Sequence, residues 1–121
     1  MAAAHYQLDN LTAILDHNTL QITGRTRDVC SNEPLDEKFR AFGWAVKTVN
    51  GHDFFELTEA LNGPPVPGKP TCVIANTVKG KGVSFMEDVA KWHHGVPSEP
   101  EFRQALRELE QAEAKLKGAT V

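Results

Sequence analysis

Cysteine is scarce in this chain of 121 residues: there are two, Cys30 and Cys72. One possible pair is not a disulfide framework, and no C-x-x-C spacing offers a zinc site. A reducing cytosol is therefore the default compartment. Long apolar runs are missing too. No stretch approaches the roughly 20 residues that a membrane span needs, and Met1–Tyr6 lacks the basic region and apolar core of a secretory signal. Positive charge is not in excess. Thirteen Lys+Arg face 16 Asp+Glu, for a formal net charge of -3. That balance removes the sequence-independent pull of phosphate polymers and disfavours general nucleic-acid binding. Hydrophobic residues at 40% and charged residues at 24% suit an ordinary folded domain rather than a disordered or fibrous chain. The length allows one small domain, or a piece of a larger one. Alone it buries roughly two-thirds of its unfolded surface, less if its apolar faces expect neighbours.

The pattern that is present alternates strands and helices. Met1–Tyr6 reads as the last turns of a helix. Leu11–Asp16 follows the turn signal Asp9-Asn10 and reads as a buried strand. His17–Asn32 is polar and reads as a loop. Asn32 is placed to cap a helix over Pro34–Phe42, which Gly43 stops. Trp44–Val49 reads as a second strand and Asn50-Gly51 as a tight turn. Asp53 then caps a helix carrying Phe54, Leu57 and Leu61. The run Gly63–Pro70 holds four prolines and reads as a rigid connection. Thr71–Thr77 is nearly all apolar, as expected of a strand covered on both faces, with Cys72 as a buried small hydrophobe. Val78–Pro97 reads as irregular. Ser98 and Glu101 form a capping box, and Phe102, Leu106, Leu109, Ala112 and Leu116 make the apolar stripe of a last helix that Gly118 ends. This order predicts an α/β fold, three-layer α/β/α, with a mostly parallel sheet. Trp44, Phe39 and Phe42 read most simply as core, and Glu108–Lys117 as a solvated face.

Three segments carry chemistry. Ligands of open parallel sheets bind beyond the carboxyl ends of strands, and Asp16–Gly24 follows the first strand. Asp16 and Asn18 offer oxygens suited to a hard divalent cation, magnesium or calcium. Equally, both could bond their own backbone in a turn. Lys79-Gly80-Lys81-Gly82 follows the third strand, where glycines admit close approach and lysines supply charge for phosphate. Solvated lysines beside glycines are the alternative. Trp92-His93-His94-Gly95 is the third. Histidine is the side chain that ordinarily titrates near neutrality, so it can donate to phosphate or move a proton. In the blander reading one ring packs on Trp92 and the other faces water. Adjacent histidines are a poor metal pair by spacing. His52 reads as a turn residue at the opposite end of the sheet from these loops. His5 and His17 carry no independent signal.

Residues 8–24, LDNLTAILDHNTLQITG, resemble the closing part of the thiamine diphosphate fingerprint of transketolases. Residues 39–61 (FRAFGWAVKTVNGHDFFELTEAL), 68–88 (GKPTCVIANTVKGKGVSFMED) and 91–106 (KWHHGVPSEPEFRQAL) resemble the family's following segments in the same order. By that resemblance Asn18 is the closing asparagine and a metal ligand. The Leu20 carbonyl is the next ligand, and Ile22 lies near the cofactor. Lys79 contacts the cofactor diphosphate or the donor sugar, and Lys81 falls at a variable position. His93, following the tryptophan, contacts diphosphate and substrate as the catalytic histidine. His94 is a competing assignment, because it precedes the glycine.

The resemblance is strongest to the N-terminal subunit of a two-subunit transketolase. It implies thiamine diphosphate and Mg2+ (or Ca2+), a pyrimidine-binding C-terminal subunit or domain as partner, a dimeric assembly and cytosolic sugar phosphates as substrates. The activity implied is transfer of a two-carbon ketol unit, with residues 1–121 as the C-terminal part of the diphosphate-binding domain. The chain has no Gly-Asp-Gly, the opening half of that fingerprint, whose aspartate is a metal ligand in the family. Two other readings stay open. One is a different thiamine diphosphate enzyme, such as deoxyxylulose-phosphate synthase or a dehydrogenase subunit. The other is a non-catalytic remnant or assembly module. The chain by itself is expected to be inactive and weakly stable, with an exposed sheet edge.

Overall fold

The computed structural model describes residues 1–118. In chain order the elements are α1 (Ala2–His5), β1 (Thr12–His17), β2 (Leu20–Gln21), β3 (Gly24–Arg25), α2 (Thr26–Val29), α3 (Leu35–Ala41), β4 (Ala45–Asn50), α4 (Phe54–Asn62), β5 (Thr71–Asn76), a 3-10 turn (Ala90–His93) and α5 (Glu99–Gly118). They form two units. The first comprises Met1–Thr19 and Cys30–Thr77, and the second Leu20–Val29 and the chain from Val78 onward. Among the described residues no helix is long and apolar enough to cross a membrane.

The first unit is a parallel sheet in the order β1-β5-β4. Thr71 pairs with Thr12 on one side and Ala45 on the other, and Asn76 with His17 and Asn50. The apolar run Thr71–Ala75 takes the central place and is buried throughout, with Cys72 and Val73 fully enclosed. Helices lie on both faces. Lys47 donates from Nζ to the Ala60 carbonyl of α4 at 2.8 Å, whereas the next residue, Thr48, lines a cavity with Leu35 and Asp36 of α3. Successive strand residues point to opposite faces, so α4 covers one face and α3 the other. The expected α/β architecture with its parallel sheet is therefore present.

Local signals explain the helix starts. Asp53 accepts from the amides of Phe55 (2.8 Å) and Glu56 (3.1 Å), satisfying two of the donors that open α4. Gly43 adopts φ 86 after α3, the left-handed stop that glycine takes without strain. Asn32 does not cap α3. Pro34 occupies the cap position without a side-chain bond, and the Glu33 carboxylate accepts from the Leu35 amide instead.

Several expectations about burial are overturned. β1 is an edge strand, alternately half-buried and exposed, and Ile14 is 59% exposed. A short edge strand alternates where a central one does not. Phe42 is half exposed, so only Phe39 and Trp44 of that aromatic group pack together, edge to face at 5.5 Å. Phe54 points to solvent, and α4 buries Ala60.

The second unit contains elements hidden in what reads as loop. Leu20–Gln21 and Gly24–Arg25 form an antiparallel hairpin, followed directly by α2. Such two-residue strands are too short to show alternation. Ser98 and Glu101 form the expected box: the Glu101 carboxylate accepts from the Ser98 amide at 2.7 Å and from its hydroxyl at 2.6 Å. These bonds hold the Glu101 carboxyl below its ordinary range. The stripe of α5 is not buried: Phe102, Leu106, Leu109 and Leu116 all remain exposed. Residues beyond Gly118, where that helix was expected to end, lie outside the described residues.

Because β5 is enclosed and β1 is an edge, their isoleucines should differ in cost. Ile74→Ala is expected to destabilise by about 2–5 kcal/mol, and Ile14→Ala by about 1 kcal/mol or less. Urea midpoints of the two variants against the wild type measure this. Equal losses would contradict the burial pattern.

Candidate functional site

Parallel pairing brings the ends of β1, β4 and β5 to one end of the sheet, so the segments after all three begin there. This corrects the expectation for His52. It follows β4 and therefore lies at the same end as His17 and Thr77, not the opposite one. The Asn50-Gly51 turn is held by β5: the Gly51 amide donates to the Asn76 carbonyl at 2.8 Å. A methyl group on Gly51 would sit 2.4 Å from the Thr77 methyl, so only glycine permits this approach.

Polar side chains knit these ends together. The Thr77 hydroxyl donates to the Asp16 carboxylate. His17 Nδ1 lies 2.8 Å from Asn76 Oδ1, and Nε2 lies 2.7 Å from Glu33 Oε1. His17, which carried no signal in the sequence, thus joins β1, β5 and the approach to α3. It lines a cavity of about 240 Å3 with Glu33, Leu35, Asp36, Thr48, Ile74 and Asn76. Asn18 comes next and is half-buried. Thr19 has φ 61, a conformation uncommon for a β-branched residue and costing about 1–3 kcal/mol. Sequence reasoning missed this bend, for threonine gives no hint of it.

The second unit gathers Leu20, Ile22, Lys79 and His93. Leu20 pairs with Arg25 across the hairpin, and β2 packs against the turn that ends in His93. Ile22 sits at the hairpin tip, 60% exposed. Arg25 forks onto Asp88: Nη1 donates to Oδ1 at 2.7 Å and Nη2 to Oδ2. The bond to Asp88 pushes Arg25 further above its already high value. Asp88 has φ 59, and its amide donates to the Lys79 carbonyl at 2.8 Å. Neither Arg25 nor Asp88 stood out in the sequence.

The glycine loop is held by contacts within itself. Gly80 has φ 73, and a methyl group there would meet the Met86 carbonyl at 2.5 Å. Gly82 donates its amide to Glu87 at 3.0 Å, and Lys81 Nζ lies 3.4 Å from the same carboxylate. The glycines therefore let the loop close on itself. Lys81 is exposed, as expected of a solvated lysine, and also pairs with Glu87. Lys79 is half-buried at the start of the loop.

Trp92 anchors the histidine turn. Its Nε1 donates to the Phe85 carbonyl at 3.0 Å, the Phe85 ring packs edge-on at 5.3 Å, and Lys91 Nζ lies 5.1 Å from the ring centroid. Neither histidine needs to stack on it. His93 and His94 are both exposed and meet edge to face, 5.8 Å apart. Their competition is thus left as the sequence has it.

The amide oxygen of Asn18 and the backbone carbonyl of Leu20 are of the kind that suits a hard cation. Among the described residues no group of three His, Cys, Asp or Glu side chains is placed to hold a metal.

Residues 1–115 match the family described as "Transketolase, thiamine diphosphate binding domain". The chain belongs to this family. It is 44% identical over 117 residues to one of the subunits of the apulose-4-phosphate transketolase of Phocaeicola vulgatus, covering 96% of this chain and 42% of that protein. It is 40% identical over 111 residues to the 6-deoxy-6-sulfo-D-fructose transketolase subunit SqwG of a Clostridium species, covering 91% and 40%. The chain therefore spans about two-fifths of the length of the curated relatives it matches. Transketolase from Campylobacter jejuni superposes with a TM-score of 0.70 at 27% identity, over 97% of this chain and 22% of that one. The enzyme from Leishmania mexicana, at 21% identity and a TM-score of 0.64, shares the fold, covering 97% and 21%.

The loop is also tied to α5. Glu108 accepts from the Ser84 amide (2.6 Å), the Ser84 hydroxyl (2.7 Å) and Gln104 Nε2 (2.8 Å). The Gln104 and Ser84 bonds hold its carboxyl below the ordinary 4.5. A depressed folded-state value gives stability that is present above 4.5 and lost as pH falls through the folded value. Acid unfolding followed by circular dichroism should therefore show a smaller loss of stability below pH 4.5 for Glu108→Gln than for wild type. Identical acid profiles would contradict this.

Proposed function

We propose that this chain forms the diphosphate side of a transketolase-type enzyme that transfers a two-carbon ketol unit between sugar phosphates. The observation that carries the reading is the gathering of Leu20, Lys79 and the turn ending in His93 in one unit, in a chain matched to the family over residues 1–115. Asn18 Oδ1 and the Leu20 carbonyl would hold Mg2+ (or Ca2+), with Ile22 near the cofactor. Thiamine diphosphate, when bound, supplies the carbanion chemistry. The work of the chain is binding and electrostatics. Lys79 neutralises phosphate, and His93 donates to phosphate and orients the sugar, as the catalytic histidine. The two relatives named as subunits support a separate partner subunit; in this reading it carries the pyrimidine-binding part, in a dimeric assembly.

The relatives' names include apulose 4-phosphate and 6-deoxy-6-sulfo-D-fructose, which support ketol transfer but differ in the sugar. Product analysis with a ketose phosphate against pyruvate separates ketol transfer from a synthase or dehydrogenase of the same cofactor class.

In the assembled enzyme, Asn18→Ala should weaken magnesium-dependent thiamine diphosphate binding at least tenfold, about 1.4 kcal/mol. Lys79→Ala should raise KM for the sugar phosphate more than it lowers kcat. Isothermal titration and steady-state kinetics measure these effects. Wild-type cofactor affinity in Asn18→Ala would sink the metal-ligand assignment.

A further inference from the structure

The second unit contains a continuous mechanical link between two of the proposed diphosphate-side groups. Leu20 is the strand partner of Arg25. Arg25 grips Asp88 through both guanidinium nitrogens, and the Asp88 amide donates to the Lys79 carbonyl at 2.8 Å. Each joint is directional. A forked Arg–carboxylate pair fixes orientation as well as distance, which a single lysine contact does not. Asp88 also spends backbone energy to take part. At φ 59 it occupies a region that non-glycine residues enter at a cost, aspartate and asparagine least reluctantly. In that conformation its amide serves Lys79 while its carboxylate serves Arg25.

The pair stands partly in water, with the two side chains 38% and 45% exposed. Ion pairs at such positions contribute little to overall stability. Its geometry is therefore better suited to holding a relation between two segments than to holding the fold.

We infer that Arg25 and Asp88 are positioning residues, a clamp that sets the Leu20 carbonyl and Lys79 at the spacing a metal-bound diphosphate requires. The inference rests on the cofactor reading proposed above. The clamp touches neither cofactor nor substrate and acts through Leu20 and Lys79.

The test uses the assembled enzyme, with thiamine diphosphate and magnesium as the probe. Affinity is read by isothermal titration, and thermal midpoints are taken without cofactor. Asp88→Asn keeps the shape and the tolerance of positive φ while removing the charge. Arg25→Gln removes the fork. Each is expected to weaken binding about tenfold, as supporting residues around metal sites do, with the midpoint shifted by no more than about 2 °C. The double variant should lose about tenfold in total, rather than about a hundredfold, because either change opens the same clamp. Arg25→Lys should fall between wild type and Arg25→Gln.

Unchanged affinity in both single variants, while Asn18→Ala loses binding, would overturn the clamp and leave the cofactor reading standing. Unchanged affinity in all three, Asn18→Ala included, would overturn both. Losses that multiply in the double variant, or that track a fall in the thermal midpoint, would assign the pair to general stability and overturn the clamp.

Discussion

The parallel pairing of β5 with β1 and β4 is the constraint on which the first unit depends. Parallel strands need a crossover between neighbours, and α4 with the proline-rich stretch after it provides one from β4 to β5. A strand with both edges paired and both faces covered is expected to be largely apolar, and Cys72–Ala75 is, with Thr71 the buried polar residue at its start. The same pairing aligns the three carboxyl ends. His17, Asn50 and Asn76 stand in one row because their strands run the same way in matched register. Asn18 inherits its place from that row. The sheet thus provides the position, and the residues just beyond it provide the chemistry.

A row of strand ends is rich in backbone groups that have lost their ladder partners. The segments after it answer that need from within the unit. The Thr77 amide donates to the His17 carbonyl at 3.2 Å, and the Gly51 amide to the Asn76 carbonyl. The Asn50 side chain accepts from the His52 amide at 3.0 Å, and Glu56 accepts from the Asn50 amide at 2.8 Å. Satisfying these groups locally keeps the end of the sheet ordered. The bend at Thr19 is the exception that costs energy, and it falls between the two residues proposed to hold a metal.

Much of this was legible in the sequence, because some signals are strictly local. The Asp53 cap, the Gly43 stop, the Ser98–Glu101 box and the apolar run of β5 each depend on residues within a turn or a strand of one another. The resemblance singles out Asn18, Leu20, Ile22, Lys79 and His93 by their neighbours in the chain, and their roles stand as the proposal made above. What was not legible depends on partners far away. Arg25 and Asp88 are 63 residues apart, and His17 and Asn76 are 59 apart. No spacing rule connects such pairs. The hairpin escaped because four strand residues hold no period. His52 was misplaced for a topological reason. Its end of the sheet follows from the direction of β4, which is settled only by pairing. The exposure of Phe42, Phe54 and the α5 stripe could not be read either, since periodicity identifies an apolar face but not whether anything covers it.

The proposed role of Lys79 sets a phosphate-binding group in an acidic chain, and the second unit shows how several charges near it are balanced. Its carboxylates close to the basic loop are occupied by nearby donors. Glu87 accepts from the Gly82 amide and pairs with Lys81, Asp88 is held by Arg25, and Glu108 by Ser84 and Gln104. Charge already balanced at short range contributes little field beyond a Debye length of about 8–10 Å. The formal charge of -3 is consequently a poor guide to the potential at Lys79. This is also why the composition can argue against a phosphate polymer and still allow a small phosphate. A polymer samples the whole surface and feels its overall sign, whereas a small ligand samples one loop.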